Sequence, residues 1–189
     1  MERGINTRCL HLEETECKTE NYGAISYPIY QTATYAHPGV GQSTGFDYSR
    51  LQNPTKEHLE KIVASLEHGC DALALSTGMA AITLMMELFK PGDHLIVDSD
   101  LYGGSIRLFR NVSRKNGITF SAVDSYQDDV ESFVKEETKA IYIETPTNPM
   151  MNVTDIGKLS EIAKRHNLLL IVDNTFLSPY FQNPLTLGA

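Results

Sequence analysis

Leu168-Leu169-Leu170-Ile171-Val172 is an unbroken apolar run that leads directly into Asp173-Asn174-Thr175. An unbroken run of branched aliphatic residues is typical of a parallel strand that is covered on both faces. Ligands of parallel sheets collect at the carboxyl ends of the strands, so Asp173 is predicted to stand in a binding crevice. For this residue alone, an aspartate that caps a turn is an equally good interpretation.

Upstream of that run, short apolar segments alternate with segments of helical periodicity. This order predicts a largely parallel α/β sheet with helices on both faces and right-handed connections. The predicted strands are 72–75, 94–98, 119–123, 140–143 and 168–172. The predicted helices run from Pro54, with Asn53 as N-cap, to about Gly69, then over 76–89, 105–116 and 128–136, and finally onward from Thr154 as a cap.

The two ends of the chain differ in pattern. Residues 1–52 contain turn formers and polar residues without sustained periodicity, which predicts an extended N-terminal arm. Residues 53–189 contain all of the alternating elements, which predicts one α/β domain.

Composition excludes several classes of function. The 189 residues are 41% hydrophobic and 21% charged, with 16 basic and 24 acidic side chains and a net charge of -8, so we expect a globular protein without a nucleic-acid partner. No segment approaches the roughly 20 apolar residues of a membrane span, and the polar start predicts a cytoplasmic protein. Cys9, Cys17 and Cys70 are not closely spaced, which predicts reduced thiols. The histidines are scattered, which predicts no metal site.

Groups suited to a phosphorylated ligand follow the predicted strands. Ser76-Thr77-Gly78-Met79 is a strand-to-helix turn whose backbone N–H groups could bind phosphate, although an ordinary N-cap is the better interpretation of this tetrapeptide alone. Tyr48-Ser49-Arg50 supplies a phenol and a guanidinium, groups that suit phosphate oxygens, but alone it reads as a solvated loop.

Two further groups are predicted at the same edge of the sheet. Tyr102 follows the strand 94–98 and could stack on a flat ligand, and Asn148 lies between two prolines after the strand 140–143. Alone, Tyr102 is better explained as a loop residue that packs on the surface, and a tight turn is the competing explanation for Asn148. Together with Asp173 and the 76–79 turn they describe a site for a planar phosphorylated heterocycle, and pyridoxal phosphate fits, with Asp173 beside its ring nitrogen.

Five motifs now stand in order: Tyr48-Ser49-Arg50, Ser76-Thr77-Gly78-Met79, Leu101-Tyr102-Gly103-Gly104, Glu144-Thr145-Pro146-Thr147-Asn148-Pro149 and Val172-Asp173-Asn174-Thr175-Phe176. From about Ile25 to the last residue, the chain resembles the Cys/Met metabolism family of pyridoxal-phosphate enzymes. That family includes cystathionine γ-synthase, cystathionine γ- and β-lyases, methionine γ-lyase and the O-acylhomoserine sulfhydrylases.

The resemblance implies roles for individual residues. Gly78 and Met79 would bind the phosphate through backbone amides. Tyr48 and Arg50 would reach the phosphate of the neighbouring subunit. Each active site would then be shared between two subunits of a homodimer or of a tetramer. Tyr102 would stack on the ring and assist the leaving group, and Asp173 would pair with the ring nitrogen. The remaining predicted cofactor-binding residues are Ser76, Thr77, Asn148 and Thr175, with Asn148 near the phenolic oxygen or the substrate carboxylate.

The resemblance also implies that the chain is the amino-terminal portion of an enzyme about twice as long. The implied fold is the large domain of the fold-type I pyridoxal-phosphate transferases, incomplete here. The family's Schiff-base lysine lies in a Ser-x-Thr-Lys motif beyond the aspartate, and this chain ends 16 residues after Asp173 without one. In relatives, the last strands of the sheet insert between the 72–75 strand and the strand of the aspartate.

The expected activity is β- or γ-elimination or γ-replacement on a sulfur-containing amino acid, in transsulfuration. Gly104, at a position where methionine γ-lyases commonly have a cysteine, favours a cystathionine synthase or lyase over methionine γ-lyase or O-acylhomoserine sulfhydrylase activity. Two alternatives stay open: an inactive fragment or scaffold that keeps the dimer surface, and a different fold-type I enzyme that transaminates.

Overall fold

A computed structural model describes residues 4–12 and 22–189. By their contacts these form two compact units, Met1–Ala74 and Leu75–Ala189, and each is described by itself. The predicted division after residue 52 stays a prediction.

The first unit contains helices α1 (Ile5–Arg8) and α2 (Pro54–Glu67). Helix α2 begins as the sequence predicts: Asn53 accepts the backbone N–H of Thr55 at 2.9 Å, and Pro54 takes the first helical position. The guanidinium of Arg8 donates to the backbone carbonyl of Ser65, which ties α1 to the end of α2. Residues 22–53 contain no helix and only isolated bridges.

The prediction of a strand at 72–75 is wrong for this structure. The backbone N–H of Ala74 donates to the Glu60 carboxylate at 2.8 Å, and Leu73 is 68% exposed. A run of apolar residues predicts burial, but a strand forms only where a neighbouring strand completes its ladder. The resemblance to longer enzymes implied that the neighbours of this segment come from the end of the sheet.

The second unit is built on a four-stranded sheet, which confirms the predicted α/β class. The strands are β1 (His94–Asp98), β2 (Thr119–Val123), β3 (Thr138–Glu144) and β4 (Leu169–Asp173). Their order is β2-β1-β3-β4, and every neighbouring pair is parallel. The carboxyl ends of all four strands therefore lie at one edge, where Glu144 of β3 pairs in register with Asp173 of β4.

Apolar side chains cover both faces of the sheet, as predicted. One cluster joins the sheet to the helix 156–165 and includes Ile96, Ile141, Ile143, Leu159 and Ile162. The other cluster joins it to helices before β1 and after it, and includes Met86, Leu95, Val97, Phe109 and Tyr142. The strands β1 and β3 lie at the centre and are almost entirely buried.

The helices of the second unit begin close to their predicted positions, with local differences. They are α3 (Gly78–Met86), α4 (Gly103–Leu108), α5 (Ile156–Arg165) and α6 (Ser178–Phe181), and α4 continues through a π-helical turn, Phe109–Ser113. The predicted helix 128–136 is only a 3₁₀ turn, Val130–Phe133, and a second such turn spans Pro184–Leu187.

The predicted cap of α5 is off by one residue. Asp155, not Thr154, accepts the backbone N–H of Lys158 at 3.0 Å. Thr154 is engaged elsewhere, because its own N–H donates to Thr145 and its hydroxyl meets that of Ser125 at 2.8 Å.

The strand before Asp173 is not fully covered, which corrects a second expectation. It begins at Leu169 and lies at an edge of the four-stranded sheet, where Leu169 is 51% exposed and only Leu170 is buried. The apolar pattern predicts a strand with two apolar faces, but the position of a strand within the sheet depends on strand order, which the pattern does not contain.

Candidate active site

A cavity of about 510 Å³ opens at the carboxyl edge of the sheet. Its walls come from the start of α3 and from the loops that follow β1, β3 and β4. The lining residues are Thr77, Gly78, Met79, Ile82, Tyr102, Glu144, Asn148, Asp173, Thr175 and Phe176. The size suits a small aromatic ligand with a phosphate group.

Asp173 is the last residue of β4, and three hydrogen bonds fix its side chain. Oδ1 accepts the backbone N–H of Thr175 at 3.1 Å and also the hydroxyl of Thr175, while Oδ2 accepts the hydroxyl of Tyr142 at 3.4 Å. Because Thr175 closes a turn on Asp173, the turn-capping interpretation is correct. The same carboxylate nevertheless lines the cavity, so both interpretations hold at once.

Two titratable groups packed beside Asp173 have shifted pKa values. Burial raises the pKa of the Tyr142 hydroxyl, and the negative charge of Asp173 raises it further. Burial likewise raises the pKa of Glu144, and Asp173 on the neighbouring strand adds to the shift. The Tyr142 hydroxyl therefore stays protonated and donates to Asp173. Two carboxyl groups, those of Glu144 and Asp173, lie at this edge of the cavity.

The start of α3 presents backbone donors to the cavity. The Thr77 hydroxyl caps the helix by accepting the N–H of Ala80 at 3.0 Å, so the N-cap interpretation of the tetrapeptide is correct for Thr77. The N–H groups of Gly78 and Met79 precede the first intrahelical bond and have no partner among the described residues. A Cβ added at Gly78 would meet no atom within 4 Å, so a ligand has room to approach these donors.

The ring of Tyr102 reaches the cavity from the loop after β1 and is 45% exposed. It packs against Gly104, where an added Cβ would collide with the ring and would lie 2.7 Å from the Met79 sulfur. A Cβ at position 104 would therefore displace the Tyr102 ring or the Met79 side chain from the positions seen here. On the other side of the loop, the backbone N–H of Tyr102 donates to Glu144 at 2.7 Å.

Asn148 reaches the cavity on the loop after β3. That loop is held by its own hydrogen bonds: the N–H of Thr147 donates to the Asn152 carbonyl at 3.0 Å, and the Thr147 hydroxyl donates to Asp100. Thr147 is fully buried, so the loop is anchored on both sides of the asparagine.

The structure brings together most of the predicted site residues of the second unit: Thr77, Gly78, Met79, Tyr102, Asn148, Asp173 and Thr175 line one cavity. Ser76 is exposed and is not part of the lining. Sequence reasoning assigned no role to Ile82, Glu144 and Phe176. The signal for Glu144 was available, since it ends a strand at the same edge as Asp173.

Tyr48 and Arg50 belong to the first unit. The Arg50 guanidinium lies 5.1 Å from the centre of the Tyr48 ring, a cation–π contact that holds the two side chains together. Their predicted role at the phosphate of a neighbouring subunit stays a prediction.

The groups that line the cavity match the chemistry of pyridoxal phosphate. Unpartnered helix N–H groups suit a phosphate, an aromatic ring suits a planar heterocycle, and a carboxylate suits a protonated ring nitrogen. A parallel α/β sheet with such a cavity at its carboxyl edge fits the class of pyridoxal-phosphate enzymes.

The chain belongs to the family described as Cys/Met metabolism PLP-dependent enzyme, whose sequence profile matches residues 6–189. It is 52% identical over 171 residues to a cystathionine gamma-lyase of Bacillus subtilis (strain 168), a match that covers 90% of this chain and 45% of the relative. It is 48% identical over 186 residues to a cystathionine beta-lyase of Lactococcus lactis subsp. cremoris (strain MG1363), covering 98% and 48%.

A solved structure agrees with the fold. The crystal structure of cystathionine gamma-lyase from Lactobacillus plantarum, complexed with L-serine, matches with a TM-score of 0.91 at 43% sequence identity. The match covers 99% of this chain and 49% of that one. The chain thus spans about half the length of the relatives it matches.

Two further features are absent from residues 4–12 and 22–189. No helix there is long and apolar enough to cross a membrane. No group of three or more His, Cys, Asp or Glu side chains there is arranged to hold a metal ion.

Proposed function

We propose that the whole protein uses pyridoxal phosphate in this cavity to catalyse β- or γ-elimination or γ-replacement on a sulfur-containing amino acid. The observation that supports this most is the convergence of a helix start, an aromatic ring, an amide and a carboxylate on one cavity at the ends of parallel strands. Relatives named as cystathionine lyases and synthases favour a cystathionine-type substrate.

The residues divide the work of binding and proton control. The N–H groups of Gly78 and Met79 bind the phosphate with the favourable field of the helix start. Tyr102 would pack on the ring and assist the leaving group, Asn148 would contact the phenolic oxygen or the substrate carboxylate, and Asp173 would hold a proton at the ring nitrogen. Ser76, Thr77 and Thr175 are the remaining proposed cofactor-binding residues, of which Thr77 and Thr175 line the cavity.

The cofactor, when bound and protonated at its ring nitrogen, supplies an electron sink that stabilises a carbanion on an attached amino acid. Asp173 favours that protonated state because a carboxylate next to a cation stabilises it. No lysine or arginine lies among the described residues that line the cavity. We propose that the cofactor-linking lysine and the substrate-binding arginine come from the part of the protein beyond this chain.

The proposed assembly is a homo-oligomer, a dimer or a tetramer, in which Tyr48 and Arg50 of one subunit reach the phosphate bound by another. Their cation–π contact presents a phenol and a guanidinium as one unit, which suits phosphate oxygens. Mixing full-length subunits that carry Arg50→Ala with subunits that carry Asp173→Ala tests this. Activity should appear only after mixing, and two inactive parents that stay inactive together would contradict it.

The reaction is tested with the full-length protein, pyridoxal phosphate and L-cystathionine. Elimination consumes one water and releases one thiol amino acid, one 2-oxo acid and one ammonia, with cysteine and 2-oxobutanoate from γ-elimination, or homocysteine and pyruvate from β-elimination. Equal amounts of thiol and 2-oxo acid support the proposal. Amino-group transfer without thiol would indicate a transaminase, and cofactor-free protein would indicate an inactive scaffold.

Replacing Gly104 with alanine is expected to displace the Tyr102 ring and to lower turnover on the order of 10-fold, because small misplacements of positioning groups have effects of this size. Gly103→Ala is the matched control, since a Cβ there has only the flexible Arg107 side chain at 3.5 Å. Steady-state rates of the two variants should differ clearly. Equal rates would show that the position of the ring is unimportant.

Replacing Tyr142 with phenylalanine is expected to weaken cofactor binding by roughly 3- to 10-fold, the effect of losing one hydrogen bond of ordinary strength, because the bond to Asp173 is long at 3.4 Å. The change keeps the aromatic edge contact with Phe109, whose centroid lies 5.4 Å away. Absorbance titration with pyridoxal phosphate measures the dissociation constant. An unchanged constant would mean that the Tyr142 hydroxyl does not orient Asp173.

A further inference from the structure

Glu144 is an acidic side chain buried at the centre of the site. It ends β3, lines the cavity and is only 5% exposed. One carboxylate oxygen accepts the backbone N–H of Tyr102 at 2.7 Å, a short charge-assisted bond that reaches from β3 to the loop after β1.

The same carboxylate also meets the second loop. The backbone amide of Asn148 lies near it and stabilises its charged form. The loop of Tyr102 is thus tied to Glu144 by a hydrogen bond, and the backbone amide of Asn148 lies near the same side chain. A carboxylate can accept from both N–H groups, whereas glutamine has only one accepting atom.

Placing a second buried carboxylate beside Asp173 costs free energy, which suggests that Glu144 is kept there for a function. Glu144 pairs in register with Asp173, so two acids lie side by side on neighbouring strands. Burial and the charge of Asp173 both raise the pKa of Glu144, which measures the cost of keeping it charged there. The groups that affect its pKa carry no positive charge: the backbone N–H groups of Tyr102 and Asn148 lower the pKa, and Asp173 and Asp100 raise it.

We propose that Glu144 is a positioning residue of the cofactor site: its carboxylate fixes the Tyr102 loop by accepting its backbone N–H and attracts the nearby backbone amide of Asn148. In this role Glu144 acts through Tyr102 and Asn148, although its side chain also lines the cavity. This inference rests on the proposed function for its catalytic consequence, but the positioning itself is a property of the loops. Its consequence for turnover is a loss in kcat, with little effect on KM.

The test compares full-length holoenzymes that carry Glu144→Gln and Glu136→Gln. Glu136 is exposed and gives the same change of charge and shape outside the site. Amide hydrogen exchange at Tyr102 is read first, because this N–H donates directly to Glu144. In Glu144→Gln we expect exchange at Tyr102 or Asn148 to be roughly tenfold faster, from the loss of a charge-assisted bond at one of the two amides. Glu136→Gln should exchange as the wild type does.

Two further readouts separate positioning from general destabilisation. The dichroism of bound pyridoxal phosphate should change in Glu144→Gln, and kcat should fall about tenfold at nearly constant KM and unchanged melting temperature. Unchanged exchange at both amides, or unchanged cofactor dichroism, would overturn the proposal. If the wild-type protein turns over no sulfur amino acid, the proposed function fails, while exchange and dichroism still decide the role of Glu144.

Discussion

Replacing Asp173 with asparagine in the full-length enzyme is expected to lower turnover on the order of 100- to 1000-fold. The substitution keeps the shape of the side chain and an oxygen for the N–H of Thr175, but it removes the charge next to the proposed position of the ring nitrogen. Removing one preorganised group that stabilises charge in the transition state typically costs about 2.7–4 kcal/mol, which corresponds to such a loss of rate.

The control for Asp173→Asn is Asp129→Asn, which makes the same chemical change at an exposed position. Initial rates with L-cystathionine at saturating pyridoxal phosphate measure both variants. The Asp129 variant should keep the wild-type rate. Wild-type turnover in the Asp173 variant would show that the carboxylate at the end of β4 has no part in the chemistry.

Replacing Leu95 with alanine is expected to destabilise the protein by about 2–5 kcal/mol, the range for Leu-to-Ala changes in cores. Leu95 lies on the central strand β1, is 0% exposed and packs in the cluster on the α3 and α4 side of the sheet. A loss of this size is a large share of the 5–15 kcal/mol by which proteins are typically stable. Urea unfolding of the full-length protein measures the change.

Leu169 provides the matched comparison, because it lies on the edge strand β4 and is 51% exposed. Because about half of its surface stays in water here, Leu169→Ala should cost only about 1 kcal/mol, unless further strands of the full-length protein cover β4. If both substitutions lowered the midpoint equally, then β4 would be covered in the whole protein, and the distinction between centre and edge would apply only to these 189 residues.

Local signals in the sequence were sufficient for much of the fold. Asn53 and Pro54 start a helix because a polar cap and a proline at the first position act within a few residues. The apolar runs at β1 and β3 form central strands because their side chains on both faces are buried. The meeting of Tyr102, Asn148 and Asp173 at one cavity was predictable because parallel strands present their carboxyl ends at one edge.

The remaining features depend on contacts between distant parts of the chain. Leu169 is exposed because β4 lies at an edge, and strand order is not contained in the pattern of one strand. Thr154 and Asp155 are both good caps, and the contacts of Thr154 with Thr145 and Ser125 decide between them. Glu144 acquires its contacts only when the loop of Tyr102 folds back onto β3.

The proposed function depends on Asp173 keeping the ring nitrogen of pyridoxal phosphate protonated. The most direct measurement is the ¹⁵N NMR shift of cofactor labelled at that nitrogen, bound to the full-length enzyme and to its Asp173→Asn variant. We expect a protonated nitrogen in the wild type at neutral pH and an unprotonated one in the variant. An unprotonated nitrogen in the wild type, or the same shift in both proteins, would contradict it.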